Sequence, residues 1–386
     1  MKNCKRKNII MENKISKRMQ ITAVILLFCL ITCTACTGKN IPDYHDNYEN
    51  YTADSTDKLS VSERARALLP KKLIKIGFVQ VGHESDWRIA ATKSCQEAFS
   101  EENGYELLFV DADNDPRVQV DAVRKFIREQ VDYLIIDPVL TTGWTAVLKE
   151  AYHAKIPVIL LDRTIDCSKR YYYAWFGSDF VQEGELAGQW LQSYLNRQGR
   201  GADNINIVTI NGTDGASAQL GRTEGFARYL KRHSEWNLLA EECGDFTESG
   251  GRMVMEQYLE TYEKIDVVIC QNDNEALGAC AAMDAAGVSY GKDGDVILIS
   301  FDATRAGLEA VMEGKINADF ECNPLSPPYA AEAVRQLEAG IKRKEKDYYL
   351  PEECFTSDEH PMILITGDGR KQMLNVTREI LKERMY

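Results

Sequence analysis

Several kinds of residue and pattern are missing from this chain, and each absence removes a class of function. Basic residues are outnumbered, 46 Lys and Arg against 59 Asp and Glu, for a net charge of −13. Such a surface repels phosphate backbones, so nucleic acid is not expected as a partner. The uncharged apolar run from Ile21 to Ile31 is shorter than the ~20 residues a spanning helix needs, which argues against a lasting transmembrane anchor. Seven cysteines follow Cys36 (Cys95, Cys167, Cys243, Cys270, Cys280, Cys322 and Cys354), an odd number without regular spacing and so no disulfide framework. Most lie in apolar runs and read as small buried hydrophobes. No Cys and His cluster has zinc spacing.

Catalytic motifs also fail, each at a named position. "GASAQ" has Gln219 where a nucleophile elbow requires Gly, "HESDW" has Trp87 where a metalloprotease requires His, and "GDGRKQ" lacks the last Gly of a dinucleotide fingerprint. The alternating acids of "DADNDPRVQVD" suggest a calcium loop, but Pro116 replaces the Gly of its sharp turn. No enzyme activity, cofactor or metal is expected.

The N-terminal text is of a different kind. Lys14, Lys17 and Arg18 precede the apolar run, and "TCTACTGKN" follows it, the basic, apolar, small order of an export signal. Cys36, after Thr34 and Ala35, resembles the lipidated Cys of a bacterial lipobox. Cys33 is a second candidate, and a cleaved peptide without lipid is the alternative. Residues 1–36 are therefore expected to direct the chain outside the cytoplasm and to anchor it by lipid to the outer face of the cell membrane. Residues 37–72 form a polar tether, with one short helix in "SVSERARALL" opened by Ser60 and Glu63.

From Leu73 onward, "LIKIGFV", "YELLFV", "DYLIID", "IPVILL", "INIVTI", "IDVVIC" and "DVILIS" alternate with segments of helical period. Apolar runs without polar alternation suit strands buried on both faces of a parallel sheet. In "DPRVQVDAVRKFIREQ", Asp115 is the expected N-cap and Pro116 the first helical residue. "GFARYLKRH", "RMVMEQYLETYEK" and "NEALGACAAMDAAG" read as helices too, the last stopped by Gly287. The expected fold class is α/β, doubly wound, with too many units for one sheet and so two domains.

Ligands of such sheets sit beyond the carboxyl ends of the strands. Those ends carry Glu84, Asp86, Arg88, Asp137, Asp162, Arg163, Asn272, Asp273 and Asp302, with Trp87 and Trp144 nearby. Forked Arg donors with carboxylate and amide acceptors suit vicinal hydroxyls, and an aromatic face suits the C–H face of a sugar ring. Bland alternatives stand beside this reading. Trp87 falls four residues before Ala91, on a helical core stripe; Asp302 and Asp273 are placed to cap the helices that follow them; Arg222 within a helix equally suits a surface.

"GFVQVGHESDWRIAA", "DPVLTTGWTAVLKEA", "IPVILLDRTID", "NGTDGASAQLGRTEGF", "CGDFTESGG", "QNDNEALGA" and "SFDATRAGLEAV" resemble, in order and spacing, the type 1 periplasmic (sugar) binding protein family. The likeness is nearest to the galactofuranose-binding and ribose-binding branch of ABC importer substrate-binding proteins. It implies two doubly wound parallel-sheet lobes joined by a three-crossing hinge, lobe 1 from 73–177 and 323–355, lobe 2 from 178–322 and 356–386. It implies a monomer that closes over one monosaccharide, a pentose or hexose with furanose as the candidate ring form, for delivery to an ABC permease. The alternative partner is a membrane histidine kinase or chemoreceptor that reads the closed form. By position the resemblance assigns Trp87, Arg88, Asp137, Asp162 and Arg163 to the sugar from lobe 1. Arg222, Phe246, Asn272 and Asp302 serve from lobe 2, with Glu321 at a crossing.

Overall fold

The seven apolar runs become seven strands in the structure, a computed structural model that describes residues 72–367 and 369–386. The export segment, Cys33, Cys36 and the expected tether helix lie outside the described residues. In the first lobe, β1 (Ile74–Gln80), β2 (Tyr105–Asp111), β3 (Tyr133–Ile136), β4 (Val158–Leu161) and β5 (Ala174–Gly177) are connected through α1 (Asp86–Ala98), α2 (Pro116–Arg128) and α3 (Thr145–His153). With β11 (Asp347–Tyr349) they form a six-stranded parallel sheet in the order β11-β5-β4-β3-β1-β2.

Burial on both faces explains the unbroken runs. Along β3, Leu134 and Ile136 enter one apolar cluster with Val79 and Leu160, while Tyr133 and Ile135 enter another with Ile76 and Phe78. Each such side chain contributes ~1.5–3 kcal/mol on burial. β2, at the sheet edge, keeps most of its residues half-exposed, so "YELLFV" departs from the expected two-faced burial. Asp115 caps α2 through the Arg117 amide, with Pro116 beginning the helix.

The second lobe holds β6 (Ile205–Asn211), β7 (Trp236–Cys243), β8 (Val267–Cys270), β9 (Ile297–Asp302) and β10 (Ala318–Glu321), with α4 (Phe180–Arg197), α5 (Ser217–Leu230), α6 (Glu248–Thr261), α7 (Asp273–Ala286) and α8 (Arg305–Met312). β12 (Cys354–Thr356), β13 (Ile363–Thr366) and β14 (Gly369–Leu374) complete an eight-stranded sheet in the order β13-β14-β12-β10-β9-β8-β6-β7. β12 runs antiparallel to β10, and β13 antiparallel to β14. A last helix, α10 (Arg378–Glu383), follows.

Three segments cross between the sheets: 178–179 between β5 and α4, 322–326 between β10 and α9 (Pro327–Glu338), and 350–353 between β11 and β12. α9 packs back on the first lobe, where Ala330 and Val334 join Cys95 and Phe99 of the α1 region. The third crossing corrects the expected boundary at 355, because Cys354 and Phe355 pair with Phe320 and Asp319 of the second sheet.

Two expected caps also move. Asn272, not Asp273, caps α7 by accepting from the Glu275 amide, and Thr304, not Asp302, caps α8 through Gly307. Asp273 turns inward instead and accepts from Ser300 Oγ at 2.6 Å and from the Thr304 amide and hydroxyl at 2.7 Å each. Gly287 ends α7 in the left-handed conformation. Among the described residues, no helix is long and apolar enough to cross a membrane.

Candidate functional site

The carboxyl ends of β1, β3 and β4 face those of β6, β8 and β9 across a cleft, and the polar strand ends meet there. From the first lobe, α1 brings Trp87 and Arg88 in one turn behind the Ser85 cap, whose hydroxyl accepts from the Arg88 amide. Arg88 is 3% exposed. Its Nη1 bonds Asp137, Nη2 reaches Asp162 Oδ2 at 3.1 Å, Nε reaches Glu84 at 3.3 Å, and its guanidinium stacks 4.5 Å from the Trp87 ring. Burial acts to lower the Arg88 pKa, but the three carboxylates outweigh it and raise the value. For Asp137 burial wins over the Arg88 charge and pushes the carboxyl up to about 8.

Asp162 follows β4 in left-handed backbone, φ 55°, a conformation that costs a non-Gly residue ~1–3 kcal/mol and clusters at functional sites. Arg163 beside it donates to Val139 O at 3.2 Å, and its buried Nε has no hydrogen-bond partner. Gln119, fully buried in α2, holds the turn after β3 by donating to Asp137 O at 2.6 Å and accepting from the Val139 amide at 2.8 Å.

The second lobe presents Arg222 from α5. Gly184 of α4 lets that helix lie close, since a Cβ there would meet Arg222 O at 2.2 Å. Arg222 donates to Glu183 at 2.7 Å, to Asp302 at 3.1 Å and to Gln271 O, with its guanidinium between the Phe180 and Phe301 rings. Burial pushes Glu183 up to about 7, and Asp302 upward as well, against the pull of Arg222. Phe246 lies over the Arg163 guanidinium at 5.0 Å, a contact between lobes. Gly212, in "NGTDG", makes room for it: a Cβ there would fall 1.9 Å from the Phe246 ring. Asn272 donates to Phe246 O at 3.0 Å while capping α7.

Eight of the ten expected residues line this one space: Trp87, Arg88, Asp162, Arg163, Arg222, Phe246, Asn272 and Asp302. Asp137 stands one layer behind, bonded to Arg88. Glu321 does not reach the cleft. It is spent on the C-terminal segment, accepting from Arg384 and Tyr386 while its other oxygen accepts from the Glu353 amide at 2.6 Å. Four lining residues escaped the sequence reading: Ser85, Phe180, Ala218 and Cys322. Phe180 follows β5, whose "AWFG" lacks the Val, Ile and Leu that mark the seven apolar runs. Cys322 is buried as read, but its Sγ faces the cleft 4.0 Å from Asp162 Oδ1 and its carbonyl accepts from Trp87 Nε1 at 2.6 Å. The core-stripe and cleft readings of Trp87 thus both apply, because it packs with Ala91, Phe180, Ala218 and Phe246 in a cluster shared by the lobes.

The lobes are drawn together. Thr164 N donates to Ser217 Oγ at 2.8 Å, Thr141 N to Gly215 O at 3.1 Å, and Asn114 Nδ2 to Asp245 at 3.3 Å. The space among the lining side chains, with the part open to solvent, is about 280 Å³. Three Arg are matched by Glu84, Asp162 and Asp302 along the lining, so the site suits an uncharged ligand rich in hydroxyls. Its unpartnered buried atoms include an acceptor on Glu84 and a donor on Arg163, and such atoms gain most from a ligand that completes their bonding.

Comparison with known proteins agrees with this geometry. The chain is 37% identical over 283 residues to the galactofuranose-binding protein YtfQ of Escherichia coli strain K12, covering 72% of this chain and 84% of that protein. A Mycobacterium smegmatis protein in complex with β-D-fucofuranose is similar at a TM-score of 0.70 and 40% identity, covering 74% and 91% of the two chains. The periplasmic binding component of an arabinose ABC transporter from Shewanella sp. ANA-3, bound to α- and β-L-arabinofuranose, is similar at 0.68 and 35%, covering 73% and 92%. The family model described as periplasmic binding protein domain matches residues 76–344. With two α/β lobes, a cleft at the strand ends and these relatives, the chain belongs to the periplasmic binding protein domain family, a family of binding proteins and not of enzymes.

Proposed function

We propose that this protein captures one neutral monosaccharide, a pentose or hexose in furanose form, between its lobes and delivers it to an ABC permease outside the cytoplasm. The observation that carries the reading is the convergence of Arg88, Asp162 and Arg163 from one lobe on Arg222, Phe246, Asn272 and Asp302 from the other, all buried around one small space. Forked guanidinium donors and carboxylate acceptors hold hydroxyl pairs, Trp87 and Phe246 cover the C–H faces, and Asp137 positions Arg88. The furanose form is supported by the sugars bound in the compared structures.

The protein acts as a monomer held to the outer face of the membrane by lipid on Cys36, with Cys33 the other candidate. The basic, apolar, small order of residues 14–36 supports this. A sensor kinase as partner lacks a supporting observation in the chain.

A thermal-shift screen of the purified protein against L-arabinose, D-galactose, D-fucose, D-ribose, D-glucose and D-fructose tests the ligand class. A binder of the folded form raises the melting temperature as its concentration passes Kd. A shift with one or a few of these sugars is expected. No shift with any of them, in protein shown to be folded and free of ligand, overturns the monosaccharide reading.

A further inference from the structure

We propose that Glu352 is a positioning residue of the hinge, whose single carboxyl gathers all three crossings and holds the lobes toward the closed arrangement. The proposal deepens the capture reading, because it names the group that sets how readily the cleft shuts.

Two of the crossings each donate one bond to this carboxyl, and the third carries it. Ser178, from the first crossing and 3% exposed, donates its hydroxyl to Glu352 Oε1. Asn323, from the second, donates its amide to the same oxygen at 3.1 Å, and its Nδ2 donates to Pro351 O at 3.3 Å. Glu352 itself belongs to the third. Cys322 Sγ lies 3.3 Å from Ser178 Oγ, so the first and second crossings also touch directly. Backbone bonds flank the knot: Leu350 N to Gly177 O at 2.9 Å and Glu321 N to Glu353 O at 3.0 Å.

The knot adjoins the sugar-facing layer. A Glu183 oxygen, Cys322 Sγ and a Glu352 oxygen lie within 4.8 Å of one another. Glu183 is the partner of Arg222, and Cys322 lines the cleft. Rotation of one lobe on the other twists all three crossings together. A carboxyl bonded to residues of different crossings keeps its full set of bonds over a narrow range of hinge angle. Removing it makes the opened arrangement cheaper relative to the closed one.

The test compares Glu352→Ala, Glu352→Gln and Ser178→Ala in the full chain. Gln keeps an oxygen that accepts from both Ser178 and Asn323, so it should behave as wild type. Glu352→Ala should enlarge the radius of gyration of the unliganded protein and speed amide exchange at Asn323. It should raise the sugar dissociation rate about three- to tenfold by a common factor for every sugar bound. A role confined to folding lowers the melting temperature but moves neither the unliganded radius nor the common factor. Glu352→Ala indistinguishable from wild type in radius and dissociation rate, or Glu352→Gln no better than Glu352→Ala, overturns the proposal. Should Glu352→Ala not fold, Ser178→Ala carries the same readings. The radius and exchange are measured without sugar, so failure of the monosaccharide reading leaves this test intact.

Discussion

The two walls of the cleft are built on opposite principles. In the first lobe Arg88 is gripped by Glu84, Asp137 and Asp162, while Arg163 beside it donates to Val139 O, lies under the Phe246 ring and sits 3.8 Å from Asp162. Among the residues that line the cleft, buried atoms on Glu84 and Arg163 of this lobe remain unpartnered, whereas unpartnered atoms on Glu183, Asn211, Glu275 and Asp319 of the second lobe belong to residues outside the lining. In the second lobe Arg222 is spent on Glu183, Asp302 and Gln271 O, and Asn272 uses both ends of its amide on Phe246 and α7. On its lining, one wall therefore keeps hydrogen-bonding capacity for a ligand, and the other is finished by its own partners.

Breaking the finished wall should have the largest effect. Arg222→Met leaves Glu183 and Asp302 without their cation, and stranded buried charges cost ~3–5 kcal/mol. A melting temperature lower by about 10 °C is expected from differential scanning calorimetry, at ~2–4 °C per kcal/mol for a domain of this size class. Arg163→Ala strikes the other wall and should act the other way round. It is expected to weaken sugar binding about 100-fold or more, as loss of a buried charged partner costs ~2–5 kcal/mol, with a much smaller change in melting temperature. If Arg163→Ala destabilises the free protein as much as Arg222→Met does, the contrast between the walls is wrong.

Acidity sharpens the same contrast. Burial raises Asp137 to about 8, Glu183 to about 7 and Glu275 to about 8. Over the window from their ordinary values near 4 up to about 8, the folded chain holds protons that the unfolded chain has released. These three groups therefore make stability fall as pH rises through that window. Melting curves from pH 5 to pH 8 should slope downward, and Asp137→Asn should flatten part of the slope. A Tm that climbs steadily across this range, unchanged in Asp137→Asn, contradicts the assignment.

The smallest effect is expected at the cleft rim. Asn114 reaches Asp245 across the lobes, and Thr213 steadies Asp245 with a 2.6 Å bond. Asn114→Ala removes one exposed bond, so surface plasmon resonance should show sugar leaving two- to fourfold faster with little change in the association rate.

How far the sequence discloses this molecule depends on burial. β1, β3, β4, β6, β8 and β9 are apolar on both faces and stand out as runs; β10 does not, because buried Asp319 and Glu321 interrupt it. Strands β11 and β12 have three residues each and β14, "GRKQML", is mostly polar, so no apolar run marks these three. At the cleft, Asp162 and Arg163 are legible because they follow β4 directly, and Arg88 because it falls in the first turn of the helix after β1. Asp137's place behind Arg88 is not, since it depends on how α1 folds over β3. Glu183, Cys322 and Glu352 lie far apart in sequence and meet only where the crossings do. Glu321 was assigned to the sugar by position in a resemblance, whereas its partners Arg384 and Tyr386 come from the C-terminal segment, beyond the residues the family match covers.

The central claim is that both walls close on one intact sugar. It is tested most directly by small-angle X-ray scattering of the purified protein, with and without a saturating sugar that isothermal titration shows to bind. The account predicts one sugar bound per chain, a smaller radius of gyration on binding, and the sugar recovered unchanged. Saturation without contraction, or conversion of the sugar, would contradict it.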